Sequence, residues 1–424
     1  MMLLMRTLLL SIAVLTASAQ PYSLLLKGGH VIDPKNGRSA KLDVAIQNGR
    51  IAKIAADIPA ESAMRIARVD GLYVTPGLID IHVHVYTGTG VKALTGDSSV
   101  YPDSFSFRSG VTTMVDAGSA GWRNFDDFRQ RIIDRAQTRV LAFVNIVGNG
   151  MSPAGEDTPA EMQGDQAAAV ARKHKDVVVG FKTAHYAGEG WPSVDGALAA
   201  GRATNLPVMV DFGYLSLDRT LRTLLGDKLR AGDIYTHCYS GHRGELGEDG
   251  KTNPAMEVGR KRGVIFDVGH GGGSFYWNVA ESLTRQGFWP DSISTDLHTG
   301  SMNAGMKDMT NVMSKFLNLG ASLEDVVKMS TWNPAKEIKR ADLGHLDEGA
   351  VADLTVLRVE QGSFGYLDSA GATFPGSKKL TAELTIRNGI VRWDLNGRAA
   401  TDWKSFKYQK RAPVTAPAPR RKKQ

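Results

Sequence analysis

A single cysteine, Cys238, stands in 424 residues, which excludes an intrachain disulfide. It lies beside His237 in an apolar run and reads as a core residue rather than a nucleophile. The apolar stretch near the start, Thr7–Leu15, falls well short of the ~20 residues that a membrane-spanning helix needs. Acidic side chains are missing from residues 404–424, which carry Lys404, Lys407, Lys410, Arg411, Arg420, Arg421, Lys422 and Lys423 among three prolines. With those eight bases and Arg6 set aside, 42 basic side chains face 44 acidic ones in the rest of the chain, so the formal charge of +7 belongs to the tail. A body of net charge −2 excludes a nucleic-acid-binding surface as the reason for the basicity. The tail itself, residues 404–424, is expected to be disordered and suited to solvation or weak contact with an anionic surface.

The first 19 residues follow another logic. Arg6, the apolar stretch and Ala17-Ser18-Ala19 before Gln20 have the charged, apolar and small-residue parts of a secretory signal peptide. The expectation is export, to a periplasm, of a mature chain that starts at Gln20 and has no stable membrane insertion. The remaining composition, 42% hydrophobic and 22% charged overall, is that of an ordinary globular protein with a large core.

Pro76-Gly77-Leu78-Ile79-Asp80-Ile81-His82-Val83-His84 places two histidines two residues apart in an apolar strand, where they share a face and can converge on one metal ion. A strand this apolar is buried on both faces, a poor setting for unpaired imidazoles. Apolar runs that end in a polar residue then recur along the chain. With His82, Asp116, Asn145, Lys182, Asp211, His237, Asp267 and Asp296 as markers, the steps are 34, 29, 37, 29, 26, 30 and 29 residues. That is the step of a βα unit. Between the markers lie helical patterns such as Phe125, Phe128, Ile132 and Ile133, or Val194–Ala200 before an Asn205-Leu206-Pro207 stop. Eight such units predict an α/β fold, the (β/α)8 or TIM barrel, with chemistry at the C-terminal strand ends where the markers fall.

On Pro76–His84, Gly180-Phe181-Lys182, His237 and Ser294-Thr295-Asp296, the chain resembles the amidohydrolase superfamily of metal-dependent barrel hydrolases, from about Ser23 to Trp403. Asp116-Ala117-Gly118-Ser119 and Thr331-Trp332-Asn333-Pro334-Ala335-Lys336 make it most similar to the dihydroorotase-like and deacetylase-like branch. The resemblance implies a barrel over residues 75–345 and a small, discontinuous β-sandwich made from residues 20–74 and 346–403.

It also implies the site: one or two divalent ions held by His82, His84, Lys182, His237 and Asp296, zinc first among the candidates. Lys182 would react with carbon dioxide and bridge the ions as a carbamate. Asp296 would be the catalytic proton acceptor. Where relatives place histidine on strand five, this chain has Asp211, either a ligand to the second ion or an acceptor behind the ligands. As a ligand its oxygen would shift preference towards manganese or iron. His185 is the alternative donor. His185, Tyr186, Trp191, His270 and His298 are expected to contact substrate. Without paired arginines to clamp a carboxylate beside them, dihydroorotase activity is not expected. The expected substrate is a small N-acyl or O-acyl acid or a cyclic amide, with no nucleic-acid partner and self-association left open. The alternative is a non-catalytic barrel that has kept the fold as a binding or scaffold protein.

Overall fold

The computed structural model describes residues 20–88, 98–151, 156–211, 213 and 218–409. Residues 1–19, with the expected signal peptide, and residues 410–424 of the basic tail lie outside the described residues.

The first strands are β1 (Leu24–Asp33), β2 (Arg38–Gln47), β3 (Arg50–Ala55), β4 (Ile66–Arg68) and β5 (Tyr73–Pro76). Asn48 and Gly49 join β2 to β3 with φ of 51° and 72°, the left-handed pair that a tight hairpin with the right twist demands. The chain then enters seven parallel strands: β6 (Leu78–Val83), β7 (Val111–Gly121), β8 (Arg139–Asn145), β9 (Val178–Thr183), β10 (Val208–Val210), β11 (Ile234–Tyr235) and β12 (Ile265–Phe266). They lie side by side in sequence order. Residues 292–297 complete the ring. Ser292 pairs in parallel with Asp267 after β12, and Leu297 pairs with Val83 at the end of β6. The Asp296 amide donates to the His82 carbonyl at 2.7 Å, and the His84 amide donates to Leu297 at 2.9 Å. The sheet curls shut as a TIM-barrel-like α/β fold.

Burial explains the apolar strands. Every residue of β6, β9 and β10 is buried, as strands enclosed on both faces must be. The predicted helix before Asn205-Leu206-Pro207 is Pro192–Thr204, with proline in its first turn and Asn205 at φ 56° closing it. Phe125–Phe128 begins an α-turn that widens over Arg129–Ile133, and Phe125, Phe128, Ile132 and Ile133 are all buried.

The last strands are β13 (Leu354–Leu367), β14 (Thr373–Arg387) and β15 (Ile390–Asp394). β13 runs antiparallel to β5, with Leu354 opposite Pro76 and Val356 opposite Val74, while β5 also pairs with β1. The two ends of the chain therefore meet in one eight-stranded sheet, ordered β15-β14-β13-β5-β1-β2-β3, with β4 on β1. One apolar cluster draws on both ends, with Leu24, Leu26, Val44 and Val74 packed with Leu354, Val356, Leu384 and Ile386. An ion pair between Arg139 at the foot of β8 and Asp353 ties sheet to barrel.

Leu354 is fully buried where the two chain ends meet. Leu354→Ala should lower stability by about 2–5 kcal/mol, the usual cost of a leucine-sized core cavity. Urea unfolding followed by circular dichroism would check it, and an unchanged midpoint would show that this junction contributes little.

Candidate active site

His82 of β6 and His84 just past its end point into the barrel mouth, and each is held by its far nitrogen. Thr236 donates its hydroxyl proton to Asp267 at 2.8 Å, so its oxygen accepts from His82 Nδ1 at 3.0 Å. That leaves the His82 Nε2 lone pair facing the centre. His237 Nδ1 donates to the Gly269 carbonyl at 2.6 Å, which turns Nε2 towards Asp211. His84 Nδ1 lies 2.9 Å from Ser119 Oγ, and Ser119 is set by Asp116, whose carboxylate accepts from the Ser119 and Val85 amides. Burial first, and the Lys182 charge second, pull the His82 imidazole down to about 3, so it is neutral.

Asp296 arrives from the eighth position of the ring. Its Oδ1 stands 3.1 Å from His84 Nε2 and 3.6 Å from His82 Nε2. Among the described residues, His82, His84 and Asp296 form a group whose donor atoms all lie within 4.8 Å of one another, a spacing that fits one metal ion. Lys182 Nζ is 3.0 Å from His82 Nε2 and wholly buried, and burial pushes its ammonium down despite the carboxylates of Asp211 and Asp296. Gly118 is required for this. A Cβ at that position would lie 2.7 Å from the Lys182 Cβ. Gly271 is equally constrained, since a Cβ there would come within 2.3 Å of Asp296 Oδ2. His185, His237 and Asp296 all adopt left-handed backbone, with φ of 53°, 62° and 51°. Such non-glycine conformations cost about 1–3 kcal/mol each and cluster at functional sites.

A second group surrounds Asp211. Its Oδ2 lies 3.1 Å from His185 Nε2 and 3.2 Å from His237 Nε2, while Oδ1 accepts from Arg243 at 2.6 Å. Burial opposes ionisation of Asp211, yet the charges of His237 and His185 hold its carboxyl well below the usual range. The Asp211 charge, with its hydrogen bond and that of Glu156, raises His185 to about 11.

The structure thus brings His82, His84, Lys182, Asp211, His237, Asp296 and His185 together. His298 stands at the rim, partly exposed, with Nε2 4.0 Å from Asp296 Oδ2. Three residues expected at the substrate lie elsewhere. His270 is fully buried, stacked on Phe275 at 4.6 Å, with Nε2 2.5 Å from Lys315 Nζ. Trp191 packs beneath Arg219 and Lys228. Tyr186 is buried, its hydroxyl donating to the Glu189 carbonyl at 2.9 Å. Loop residues bracketing strand ends turn inwards or outwards according to loop packing, which a residue-type pattern does not encode.

Arg243 escaped the sequence pattern although it is buried against Asp211. It sits six residues past His237, beyond the strand end, and only its loop carries it back. Thr236 and Asp267 were visible only as a strand residue and a strand-end marker. Their role as the clamp on His82 appears once β11 and β12 lie side by side.

Comparison with known proteins bears on the family and the fold. Residues 274–391 match the amidohydrolase family. A deacetylase of Agrobacterium fabrum is 32% identical over 349 residues, covering 80% of this chain and 83% of that protein. A deacetylase of Enterococcus faecalis is 30% identical, covering 87% and 99% respectively. Among solved structures, an adenine deaminase superposes with a TM-score of 0.80 at 27% identity, covering 88% of this chain and 100% of that one. A dihydroorotase gives 0.74 at 28% identity, covering 87% and 98%.

Lys315, pinned between His270 and the carbonyls of Gly305 and Leu367, is pushed by burial down to about 7 from 10.5. Between those two values the unfolded chain holds a proton that the folded one has released, so stability should rise with pH across the window. Lys315→Met should flatten that rise, as read from urea midpoints at pH 7, 8 and 9. An equally steep rise in the variant would assign it to other groups.

Proposed function

Because the chain belongs to the amidohydrolase family, we propose that this hydrolase is metal-dependent and cleaves the amide or ester bond of small N-acyl or O-acyl acids, or of cyclic amides. The observation that carries the reading is the convergence of His82, His84 and Asp296 at the barrel mouth beside the buried Lys182. The donor chemistry fits a divalent ion. Thr236 leaves the Nε2 lone pair of His82 facing inwards, and Gly269 anchors His237 by Nδ1 so that its Nε2 faces the site, the orientation that metal-bound imidazoles require.

His82, His84 and Asp296 would hold one ion, and His237 with Asp211 or His185 a second, with Lys182 between them. When bound, such ions polarise the scissile carbonyl and lower the pKa of water to ~7, zinc being the first candidate and manganese or iron the alternatives if Asp211 is a ligand. The chain's own residues do the rest. Asp296, ionised and held between His82 and His84, accepts the proton of the attacking water and returns it to the leaving group. Lys182, kept from its charged form by burial, presents the neutral amine that reacts with carbon dioxide, and its carbamate would supply the bridging anion. His298 and His185 border the opening, placed to orient the polar end of a substrate. A scaffold that had given up catalysis would have little reason to keep these donors converged.

Asp296→Asn should leave metal binding largely in place, His82, His84 and Lys182 remaining, and lose ~10²–10⁴-fold in turnover, the usual worth of a positioned general base. Metal analysis alongside a hydrolysis screen over N-acetyl and O-acetyl acids would test this, and an active Asp296→Asn would remove the mechanism. Asp211→Asn should fail differently, in occupancy of the second ion, because a neutral amide gives up the charge attraction of a carboxylate. Full stoichiometry with normal turnover would make Asp211 a partner of Arg243, His185 and His237 rather than a ligand.

Lys182→Ala should be inactive and should recover partly with short carboxylic acids, which stand in for the carbamate. No recovery, together with an unmodified Lys182 in a well-resolved map that holds two bound ions, would refute carboxylation.

A further inference from the structure

Asp296 is flanked by two loops, and one buried amine meets both. The first loop, residues 267–276 after β12, runs beside the segment that delivers Asp296. There the His270 amide donates to the Ser294 carbonyl at 3.3 Å, and the Gly271 amide donates to Thr295 at 2.9 Å. Gly271 then passes so close to the Asp296 carboxylate that a side chain at that position would strike it. The second loop, residues 297–308, is folded back by Ser301, whose hydroxyl donates to the Asp296 carbonyl at 2.8 Å.

The helix Met309–Asn318 follows, and its Lys315 is wholly buried. Lys315 Nζ lies 2.5 Å from His270 Nε2 in the first loop, 2.9 Å from the Gly305 carbonyl in the second, and 2.6 Å from the Leu367 carbonyl at the end of β13. An ammonium has one proton for each of the three. His270 passes the contact on, since its Nδ1 lies 2.9 Å from the Gly271 carbonyl. The turn between β13 and β14 presses on the same place. Asp368 accepts from the Trp277 amide at 3.2 Å, the Ser369 amide donates to the Phe275 carbonyl at 2.9 Å, and Phe374 stacks on Trp277 at 4.5 Å. Gly305 lies against that turn, where a Cβ would come within 2.4 Å of the Asp368 carbonyl. Burying an amine is costly unless its contacts are met, and here each contact ties down a different segment of the chain.

We propose that Lys315 is a positioning residue, which joins the two loops to the β13–β14 turn and so holds Asp296 in the place its proton transfer needs. The inference rests on Asp296 as the proton acceptor. Lys315 acts on Asp296 through His270 and Gly271 on one side and through the 297–305 loop on the other. The sheet shared by the chain ends thereby takes part in the barrel mouth through its longest hairpin. Precision matters at this point, because a misplacement of about 1 Å can cost a reaction ~10²-fold.

The test compares the full protein with Lys315→Met, which fills the space without the donors, and with Asp368→Ala, which loosens the turn and leaves Lys315 in place. On an N-acetyl or O-acetyl acid that the native protein hydrolyses, Lys315→Met should lower kcat by about 10–100-fold with KM close to the native value and metal content unchanged. Rates are compared at pH 6.5, below the value of about 7 to which burial pushes the ammonium. Asp368→Ala should lower kcat by a smaller factor. Leu354→Ala, whose cavity lies in the shared sheet, should keep the native kcat, and an equal fall there would assign the effect to lost stability and overturn the inference. Hydrogen–deuterium exchange needs no substrate. In both variants residues 268–277 and 297–306 should exchange at least ~10-fold faster, the loss of one or two hydrogen bonds, while β6–β8 keep their protection. Native exchange in both variants, or faster exchange with native kcat, would overturn the inference. If the native protein hydrolyses none of the acids screened, the hydrolase reading fails by itself, and the exchange rates still decide whether Lys315 holds the loops.

Discussion

A strand buried on both faces cannot leave an imidazole nitrogen without a partner, and β6 carries one imidazole with a second, His84, just past its end. Much of the barrel mouth follows from that constraint. The outer nitrogen of His82 requires Thr236, whose proton requires Asp267, and Asp267 also accepts from Ser292 and Ser294 at 2.8 and 2.7 Å. The clamp on one histidine thus reaches across β11 and β12 to the eighth position, the same segment that delivers Asp296. His84 does the equivalent on the other side through Ser119 and Asp116 of β7. Ring closure and site geometry are consequently one network. Asp80, fully buried under the histidines, joins it by accepting from the Thr295 amide at 3.0 Å and from its hydroxyl.

The barrel was legible in the sequence because parallel buried strands are short apolar runs, each ended by a polar residue at a βα interval. The residues that converge at the barrel mouth were legible for the same reason: His82, Lys182, Asp211, His237 and Asp296 are those polar ends. What lay past the ends was not. His270 reads as a site residue three positions after Asp267, yet the loop folds it under Phe275 and onto Lys315, a lysine 45 residues away that no local pattern links to it. Arg243 shows the reverse case, remote in sequence and central in space. The two terminal strand groups were visible as alternating segments, whereas their union in a single sheet through β5 rests on a pairing across some 280 residues.

The two halves of the site are unequal. Around Asp296 the neighbours are the imidazoles of His82 and His84. Around Asp211 they are Arg243 and His185, which supply positive charge at the position where the family resemblance places a neutral histidine. Exchanging that histidine for aspartate adds a buried negative charge, and a buried carboxylate without a counter-charge is costly. Arg243 offsets it directly at 2.6 Å. The substitution and the arginine are best understood as a pair.

The sheet shared by the two chain ends sets an order of events. β5 lies between β1 and β13, so until residues 354–357 have been made, one edge of β5 has no partner and Leu24, Leu26 and Val74 lack half of their cover. Contacts between segments so far apart close slowly, because a long loop must be ordered first. The sheet on β1–β5 is therefore complete only when strands from beyond the barrel join it, so a cut anywhere in the barrel would separate the two sides of one apolar cluster.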